Sequence, residues 1–191
     1  MNLPRHLPLS IIAPGAEWLR IHPANRKALW FGPESGKPPI NRFDDPQGLF
    51  RVCYLGGAIQ ACFAETFLRS PPVRTLMFQD LADRSVSTIA VRQPLRLVRL
   101  HGSGLARLGL TADVASGFSY SSSQSCARAF WEHPEVPDGL TYRSRHDDSA
   151  LCIALFDRAK SSVHVRTASP LTADSRLLGK ILNRYGLGLL P

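Results

Sequence analysis

The segment Leu49–Arg69, LFRVCYLGGAIQACFAETFLR, limits the possible folds more than any other part of the sequence. A β-like run at its start passes through two glycines directly into a stretch where small and apolar residues recur at helical spacing. Glu65 is the only acidic residue in the segment. Helical spacing places its carboxylate on a face that is otherwise small or apolar, formed by Ala58, Ala61 and Cys62. Such a carboxylate either pairs with a basic group elsewhere in the chain or takes part in chemistry.

The chain is long enough for one domain with a sizeable core, because it has 191 residues, of which 44% are hydrophobic and 20% are charged. No apolar run approaches the roughly 20 residues of a membrane-spanning helix. Prolines interrupt the first residues, MNLPRHLPLSIIAPG, where a signal peptide needs an unbroken apolar stretch. These features predict a cytoplasmic protein without a membrane anchor.

The four cysteines are scattered among apolar neighbours and do not form a CxxC pair. This pattern predicts buried, reduced thiols, and it favours neither disulfides nor a metal site. The four residues are Cys53, Cys62, Cys126 and Cys152.

The formal net charge is +8, and most of the 23 basic residues are arginine. Such a balance suits nucleic acid, a small ligand that carries phosphate, or an acidic protein partner. The arginines are spread along the chain, and no zinc-finger, RNA-recognition or basic-zipper pattern accompanies them. We therefore rank direct nucleic-acid binding below the other two.

The sequence before the glycine pair predicts little regular structure. Residues 1–16 read as an irregular, proline-containing lead-in, and Trp18–His22 is a strand candidate. Prolines and glycines between Asn25 and Gly48 predict a long ordered loop. A loop of this length in a compact domain more often binds a ligand than acts as a spacer.

The sequence after the glycine pair predicts more strands than helices. Pro71 and Pro72 are expected to end the helix that carries Glu65. The predicted strands span residues 85–91, 95–100, 150–157 and 162–166, and the predicted helices span residues 78–84, 124–133 and 174–185. A turn-rich passage covers 102–117, and the serines of YSSSQ are expected to cap the helix that follows. The consistent fold class is α+β, a mixed and mainly antiparallel sheet flanked by a few helices.

The usual catalytic motifs are absent from the sequence. It has no GxGxxG, P-loop, HExxH or GxSxG pattern and no paired-cysteine metal site. What remains is a distributed set of polar residues at strand ends or on the helix after a strand: Arg20, Arg42, Tyr54, Glu65 and Ser144.

The blocks that carry these residues resemble the RES-domain family, which is named for a recurring arginine, glutamate and serine. LRIH supplies the family arginine at Arg20, and NRFDDP resembles the second arginine region at Arg42. VCYLG and ACFAETFLR supply Tyr54 and Glu65. LRLVRLHGSGLARLGL and PDGLTYRSRHDDSALCIALF resemble later family blocks, the second of which supplies Ser144.

The resemblance covers residues 17–160 of what we expect to be one domain over 1–191, and a C-terminal strand and helix follow in residues 161–191. It implies a fold similar to ADP-ribosyltransferases, and a toxin of a type II toxin–antitoxin pair for which NAD is a substrate and not a cofactor. Family members cleave the nicotinamide–ribose bond and pass ADP-ribose to water, to phosphate or to a protein. The implied partner is a cognate antitoxin with an Xre-like helix-turn-helix domain.

The resemblance also implies a role for each site residue. Loss of nicotinamide leaves an oxocarbenium-like ribose, so Glu65 would hold ribose hydroxyls and offset the developing charge. Arg20 and Arg42 would bind the pyrophosphate through planar, bidentate donors. Tyr54 would stack on the nicotinamide ring, and the Ser144 hydroxyl would orient the nicotinamide ribose or the Glu65 carboxylate.

Two further residues, Tyr120 and Gln124, are expected to line the pocket. Strand alternation is expected to place Arg143 and Arg145 on the face opposite Ser144.

Each site residue also has a simpler structural interpretation. From spacing alone, Glu65 is more often one half of an ion pair, and Arg20 is a candidate for the other half. Tyr54 would then be plain core, and Ser144 would only cap a turn before a strand. His146 is interpreted as structural, because nicotinamide leaves neutral from a cationic ring and needs little protonation.

Two other functions stay open at this point. An enzyme of the same fold would transfer ADP-ribose to a macromolecular target, with its acceptor chosen by loops such as residues 25–48. A non-enzymatic module would bind nucleic acid through its positive charge alone.

Overall fold

The computed structural model describes residues 1–33, 37–70 and 72–191. Its strands are β1 (Leu9–Ile12), β2 (Glu17–Pro23), β3 (Val52–Gly56), β4 (Thr75–Met77), β5 (Arg84–Val91), β6 (Leu95–Leu100), β7 (Gly139–Arg143), β8 (Leu151–Phe156), β9 (Val163–Pro170) and β10 (Gly188–Leu190). Its α-helices are α1 (Ile59–Phe67), α2 (Phe78–Ala82), α3 (Ser103–Leu108), α4 (Asp113–Ser116), α5 (Ser121–Trp131) and α6 (Ser175–Tyr185). Short 3-10 helices span Asp157–Ser162 and Leu171–Ala173.

Eight strands form one sheet in the order β1-β6-β7-β8-β3-β2-β5-β9. Neighbouring strands run antiparallel except β6 and β7, which run parallel and are connected through α3, α4 and α5. β4 and β10 pair separately as a parallel two-stranded ribbon. The predicted α+β class, with a mixed and mainly antiparallel sheet, is confirmed. Within the described residues, no helix is both long enough and apolar enough to cross a membrane.

The main sheet is nearly divided between β2 and β3. β2 pairs with β5 along all seven of its residues, and β3 pairs with β8 along its whole length. Between β2 and β3, however, the register contains one residue pair, Leu19 with Gly56. Past that pair the two strands diverge, and a gap opens in the sheet.

Three apolar clusters hold the helices on the sheet. α3, α4 and α5 pack on β6, β7 and β8 around Phe130. α1, α2 and α6 pack against β2 around Phe63 and Ile181. The third cluster, around Trp18 and Ile153, lies on the other face of the sheet, because side chains alternate along β8. All four cysteines are free and buried, which confirms that prediction.

The prediction of an irregular lead-in is wrong for residues 9–12. These residues form β1, which pairs with β6 at the edge of the main sheet. The turn-rich passage at 102–117 likewise contains two short helices, α3 and α4. In both places regular structure depends on packing or pairing with β6, a distant or tertiary effect that local sequence patterns do not carry.

The serines of YSSSQ do not cap α5, so that prediction is also wrong. The N-cap residue is Tyr120, which makes no side-chain capping bond. Ser123 instead lies inside the helix, fully buried, and its hydroxyl donates to the Val114 carbonyl at 2.6 Å. It therefore ties α5 to α4.

The ends of two other helices follow the sequence signals. α6 begins after Asp174, whose carboxylate accepts a hydrogen bond from the Leu177 backbone N–H at 2.9 Å, and it ends at Gly186. α1 ends at Phe67, before the two prolines, although Pro71 itself lies outside the described residues. Part of the predicted 25–48 loop, residues 34–36, also lies outside them, and the described part contains no helix or strand.

We predict that Gly104→Ala destabilises the protein. A Cβ at this position of α3 would lie 1.9 Å from the Arg99 carbonyl oxygen, a backbone atom that cannot rotate away. Forcing the two segments apart should lower the free energy of unfolding by about 1–3 kcal/mol. Urea unfolding monitored by circular dichroism measures this change.

Gly179→Ala is the matched control for that experiment. Gly179 lies in α6, and a Cβ there would meet no atom within 4 Å, so the alanine should stabilise the helix by about 0.5–1 kcal/mol. Equal effects of the two substitutions would mean that α3 does not approach β6 as closely as described.

Candidate functional site

A cavity of about 440 Å³ occupies the gap between β2 and β3. Its walls come from the two diverging strands, from α1, from the loop after β2, and from the segments that follow α4 and β7. The polar and aromatic residues that line it include Arg20, Arg26, Lys27, Trp30, Arg42, Tyr54, Glu65, Arg69, Arg84, Tyr120, Tyr142, Arg145 and His146. The volume is in the range of small-molecule sites.

Glu65 projects from α1 into this cavity and has no ion-pair partner in the described ranges 1–33, 37–70 and 72–191. Its Oε1 atom is buried and makes no hydrogen bond, and none of the ion pairs among the described residues includes it. The structural interpretation of Glu65 as half of an ion pair, with Arg20 as its partner, is therefore wrong for the described residues. Leaving a buried carboxylate oxygen unsatisfied costs free energy, and such groups concentrate at functional sites.

Cationic side chains lie near the Glu65 carboxylate, but among the described residues none forms an ion pair with it; Arg69 Nε donates instead to the Glu65 backbone carbonyl at 2.9 Å. Burial lowers the pKa of the His146 imidazole, the Glu65 carboxylate opposes that shift, and neighbouring arginines add to it. Those arginines are Arg145, Arg69 and Arg42. The carboxylate thus faces a space whose walls are positive, and an anionic group of a ligand would be attracted to the same space.

Arg42 is held in place by groups that carry no charge. It is buried, its Nη1 donates to the Gly117 carbonyl at 2.8 Å, and its guanidinium carbon lies 4.6 Å from the centroid of the Tyr120 ring. Burial is the main reason that the pKa of Arg42 is lowered, and the nearby Arg145 contributes to the same shift. Tyr120 lines the cavity as expected and supports Arg42 from one side.

Arg20 is oriented in a similar way. Its Nη1 donates to the Trp30 carbonyl at 2.9 Å and to the Cys53 sulfur at 2.7 Å, and its guanidinium lies 5.9 Å from the Trp30 ring centroid. Both hydrogen bonds come from one nitrogen, and a guanidinium carries donors on two others. Burial raises the pKa of Cys53, so the sulfur accepts as a neutral thiol and leaves the positive charge of Arg20 uncompensated.

Tyr54 presents its ring to the cavity, whereas its hydroxyl is used by the protein. The hydroxyl donates to Asp44 Oδ1 at 2.9 Å and accepts from the Phe43 backbone N–H at 3.0 Å. Burial, followed by the Asp44 charge, raises the pKa of Tyr54 well above its usual value. Asp44 also accepts from the backbone N–H of Asn41 at 2.8 Å, so this contact fixes the long loop against β3.

Two of the predicted site residues, Ser144 and Gln124, lie behind the cavity wall and not in its lining. The buried Ser144 hydroxyl accepts from the backbone N–H groups of His146 at 3.1 Å and Asp147 at 3.3 Å. Gln124 Nε2 donates weakly to the Asn41 carbonyl at 3.4 Å. Ser144 therefore makes the turn-capping contact of its structural interpretation, and this turn positions His146.

The sequence interpretation missed Arg145 and His146 as cavity residues. β7 ends at Arg143, so the strand alternation that would turn Arg145 away from the site does not extend that far, and the prediction is wrong. Arg69 had a detectable signal, because it follows Glu65 by one helical turn. Trp30, like Arg26 and Lys27, belongs to the long loop that the sequence predicts to bind a ligand.

Comparison with known proteins gives the family. The family model described as "RES domain" matches residues 17–176. The chain belongs to the RES-domain family. A similar protein, "Probable toxin y4kH" of Sinorhizobium fredii (strain NBRC 101917 / NGR234), is 32% identical over 111 residues, which cover 58% of this chain and 87% of the relative.

A solved structure supports the fold of this RES domain. A chain of the crystal structure of the M. tuberculosis MbcT–MbcA toxin–antitoxin complex superimposes with a TM-score of 0.69. The match covers 91% of this chain and 92% of that chain, at 20% sequence identity. At this identity the likeness shows a shared fold.

We predict that Asp147 makes the stability of the protein pH-dependent. The Asp147 carboxylate accepts from Ser149, from the Tyr185 hydroxyl at 2.8 Å and from Arg184 at 3.3 Å. These contacts, the Ser149 hydrogen bond first, lower its pKa in the folded protein. A lowered folded-state pKa stabilises the protein above the ordinary aspartate pKa, and that stability is lost as the pH falls through the lowered value.

Asp147→Asn should therefore reduce the free energy of unfolding at pH 7 and weaken its decline between about pH 5 and pH 3. Urea titrations across this pH range measure both effects. Asp148→Asn is the control, because the adjacent Asp148 side chain is exposed and takes part in no ion pair of the described residues. Parallel pH curves for wild type and Asp147→Asn would contradict the prediction.

Proposed function

We propose that this RES-domain protein is the toxin of a toxin–antitoxin pair and that it cleaves the nicotinamide–ribose bond of NAD. The observation that carries the proposal is the Glu65 carboxylate, which forms no ion pair among the described residues and lies in a cavity whose other charged wall residues are arginine and lysine. The name of the S. fredii relative and the toxin–antitoxin complex with the same fold support the toxin assignment.

The reaction needs a carboxylate that is free of other partners. As the bond to nicotinamide breaks, positive charge develops on the ribose, and an anion fixed beside it lowers the barrier. A carboxylate already bound to arginine would have its charge offset in advance. Glu65 has no such contact among the described residues, so its full charge and its hydrogen-bonding capacity are available to the ribose.

The other walls suit the remaining parts of the dinucleotide. Arg20 and Arg42 bind the pyrophosphate with the guanidinium nitrogens that the protein leaves free. The Tyr54 ring stacks on nicotinamide, since its hydroxyl is already engaged by Asp44. Ser144 acts through the turn that it caps, and this turn holds His146 at the cavity.

The charge near Glu65 favours an anionic acceptor. Arg69 and Arg145, like the Glu65 carboxylate, lie near His146, and their positive charges would attract phosphate to the carbon that nicotinamide leaves. We therefore expect phosphate to accelerate the reaction, with ADP-ribose 1-phosphate as the product, while water serves as a slower acceptor.

We predict that the purified protein, freed of its antitoxin, releases nicotinamide from NAD and that Glu65→Gln abolishes this release. Loss of one preorganised electrostatic contact to a developing charge costs about 10²–10³ in kcat. Nicotinamide release is followed by chromatography with and without phosphate, and unchanged thermal melting shows that the variant is folded. Glu17→Gln is the control, because Glu17 is exposed on β2 and pairs with Arg166 at the surface.

Absence of nicotinamide release under both conditions would overturn the proposed activity. Full activity of Glu65→Gln would remove Glu65 from the mechanism. NAD labelled in its adenylate half separates the acceptors: label on ADP-ribose or its phosphate ester supports degradation, and label on a protein supports ADP-ribosyl transfer to a macromolecule instead.

The positive cavity also suits an acidic inhibitor segment. We propose that the antitoxin carries an Xre-like helix-turn-helix domain and covers the cavity with such a segment. Co-expression with the product of the neighbouring gene should give a complex that survives gel filtration and releases less nicotinamide. Separate elution of the two proteins, at unchanged activity, would contradict this prediction.

A further inference from the structure

A second cluster of positive charge lies at the end of the cavity away from Glu65. It consists of Arg26, Lys27 and Arg84. Pro23, the last residue of β2, pairs with Arg84 at the start of β5. Arg26 and Lys27 follow in the next turn, where the Arg26 backbone N–H donates to the Pro23 carbonyl at 3.0 Å. Backbone pairing therefore brings the three side chains to one place.

The order of strands separates this cluster from the carboxylate. Ala61, one helical turn before Glu65 on α1, packs in one cluster with Cys152 of β8 and Tyr142 of β7, so this face of α1 lies on the β8 side of the gap. Arg84 belongs to β5, on the other side. β8 and β5 are three strand spacings apart, which amounts to about 14 Å even without the widening at the gap.

Within the cluster, Arg84 is set apart from the proposed pyrophosphate contact at Arg20, whereas Arg26 shares the Trp30 ring with Arg20. Pro23, which pairs with Arg84, lies three residues beyond Arg20 on β2. Three residues of extended strand span about 10 Å. A dinucleotide with its nicotinamide ribose at Glu65 and its pyrophosphate near Arg20 would place its adenosine at this end.

Within the part of the chain that the structure describes, no carboxylate neutralises these three cations. None of them takes part in an ion pair among the described residues. The Nε of Arg84 is buried and has no hydrogen-bond partner, and the Arg26 guanidinium rests 5.8 Å from the centroid of the Trp30 ring. A buried, unpartnered donor beside two further cations is a site that a bound anion would satisfy.

In the proposed binding mode, Arg20 and Arg42 bind the two phosphates of the NAD pyrophosphate. The pyrophosphate therefore leaves the charge of this cluster without a ligand group. We propose that the cluster of Arg26, Lys27 and Arg84 binds a phosphate on the adenosine ribose, so that NADP is a substrate alongside NAD. This inference rests on the proposed function and specifies the substrate class of the same site.

The reaction on NADP balances as it does on NAD. The bond between C1′ of the ribose and the nicotinamide nitrogen breaks, and its electron pair leaves with nicotinamide, which becomes neutral. An oxygen of water or phosphate bonds to C1′, and a proton is released when water is the acceptor. The 2′-phosphate stays on the ADP-ribose product, and no oxidant or reductant takes part.

The first test compares kcat/KM for NAD and NADP in wild type and in the double variant Arg26→Ala/Lys27→Ala. Wild type should cleave both dinucleotides. The double variant should lower the ratio of NADP to NAD cleavage about tenfold or more, because charge-assisted contacts to the 2′-phosphate are lost. Arg107→Ala, an exposed arginine of α3 outside the cavity, should leave both rates unchanged.

The second test measures binding and does not depend on catalysis. Calorimetry with adenosine 2′,5′-bisphosphate and with adenosine 5′-monophosphate compares the two ligands on wild type and on the double variant. Wild type should bind the bisphosphate about tenfold more tightly or better, and the double variant should lose that preference.

The outcomes separate this inference from the proposed function. Cleavage of NAD without cleavage of NADP overturns the inference alone, as does a ratio that the double variant leaves unchanged. Failure to cleave either dinucleotide overturns the proposed function, and the binding test then decides the phosphate site. Equal affinity of wild type for the two adenosine ligands overturns the site.

Discussion

The single register pair between β2 and β3 is the contact on which the site depends. At Gly56 a Cβ would lie 2.7 Å from the Cys62 sulfur and 3.0 Å from the Ala61 side chain, so only glycine lets α1 pack directly over this junction. Past the junction the strands separate, and α1 carries Glu65 over the gap. A second or third ladder pair would close the sheet, and the cavity would be filled with backbone. The glycine turn, the helix and the cavity are therefore consequences of one local geometry.

Neutral partners orient Arg20 and Arg42 in the cavity. Arg20 is held by a carbonyl, a thiol and an indole ring, and Arg42 by a carbonyl and a phenol ring. Arg145 lies 4.4 Å from the centroid of an exposed phenylalanine ring. By contrast, Arg128 and Arg184, which do not line the cavity, pair with carboxylates. Carbonyls and rings fix a guanidinium without cancelling its charge, so the positive field stays available to a ligand.

The sequence predicts the helices and strands of this fold better than it predicts which of them pair or pack together. The strand, glycine turn and helix around Glu65, the C-terminal helix and the α+β class follow from local patterns. β1 does not, because its pairing partner β6 is distant in the sequence. The site residues show the same difference. Motif blocks single out Arg20, Arg42 and Tyr54. Arg145, in contrast, reaches the cavity only because β7 ends one residue before Ser144. Strand length is set by pairing in three dimensions, and residue alternation cannot reveal it.

Among the described residues, Glu65 forms no ion pair with the arginines that share its cavity, and the divided sheet explains how. The Glu65 carboxylate belongs to α1, whereas Arg20 is held between β2 and β3 by its bond to Cys53. Arg42 lies on a loop that is fixed to Tyr54. No short side-chain movement therefore brings the carboxylate and the guanidinium groups together. Keeping opposite charges apart in a partly buried site destabilises the folded state. The three apolar clusters, some members of which also form part of the cavity wall, supply the compensating stability. Binding a ligand that bridges carboxylate and guanidinium groups would relieve this unfavourable arrangement, and such a ligand would therefore stabilise the folded protein.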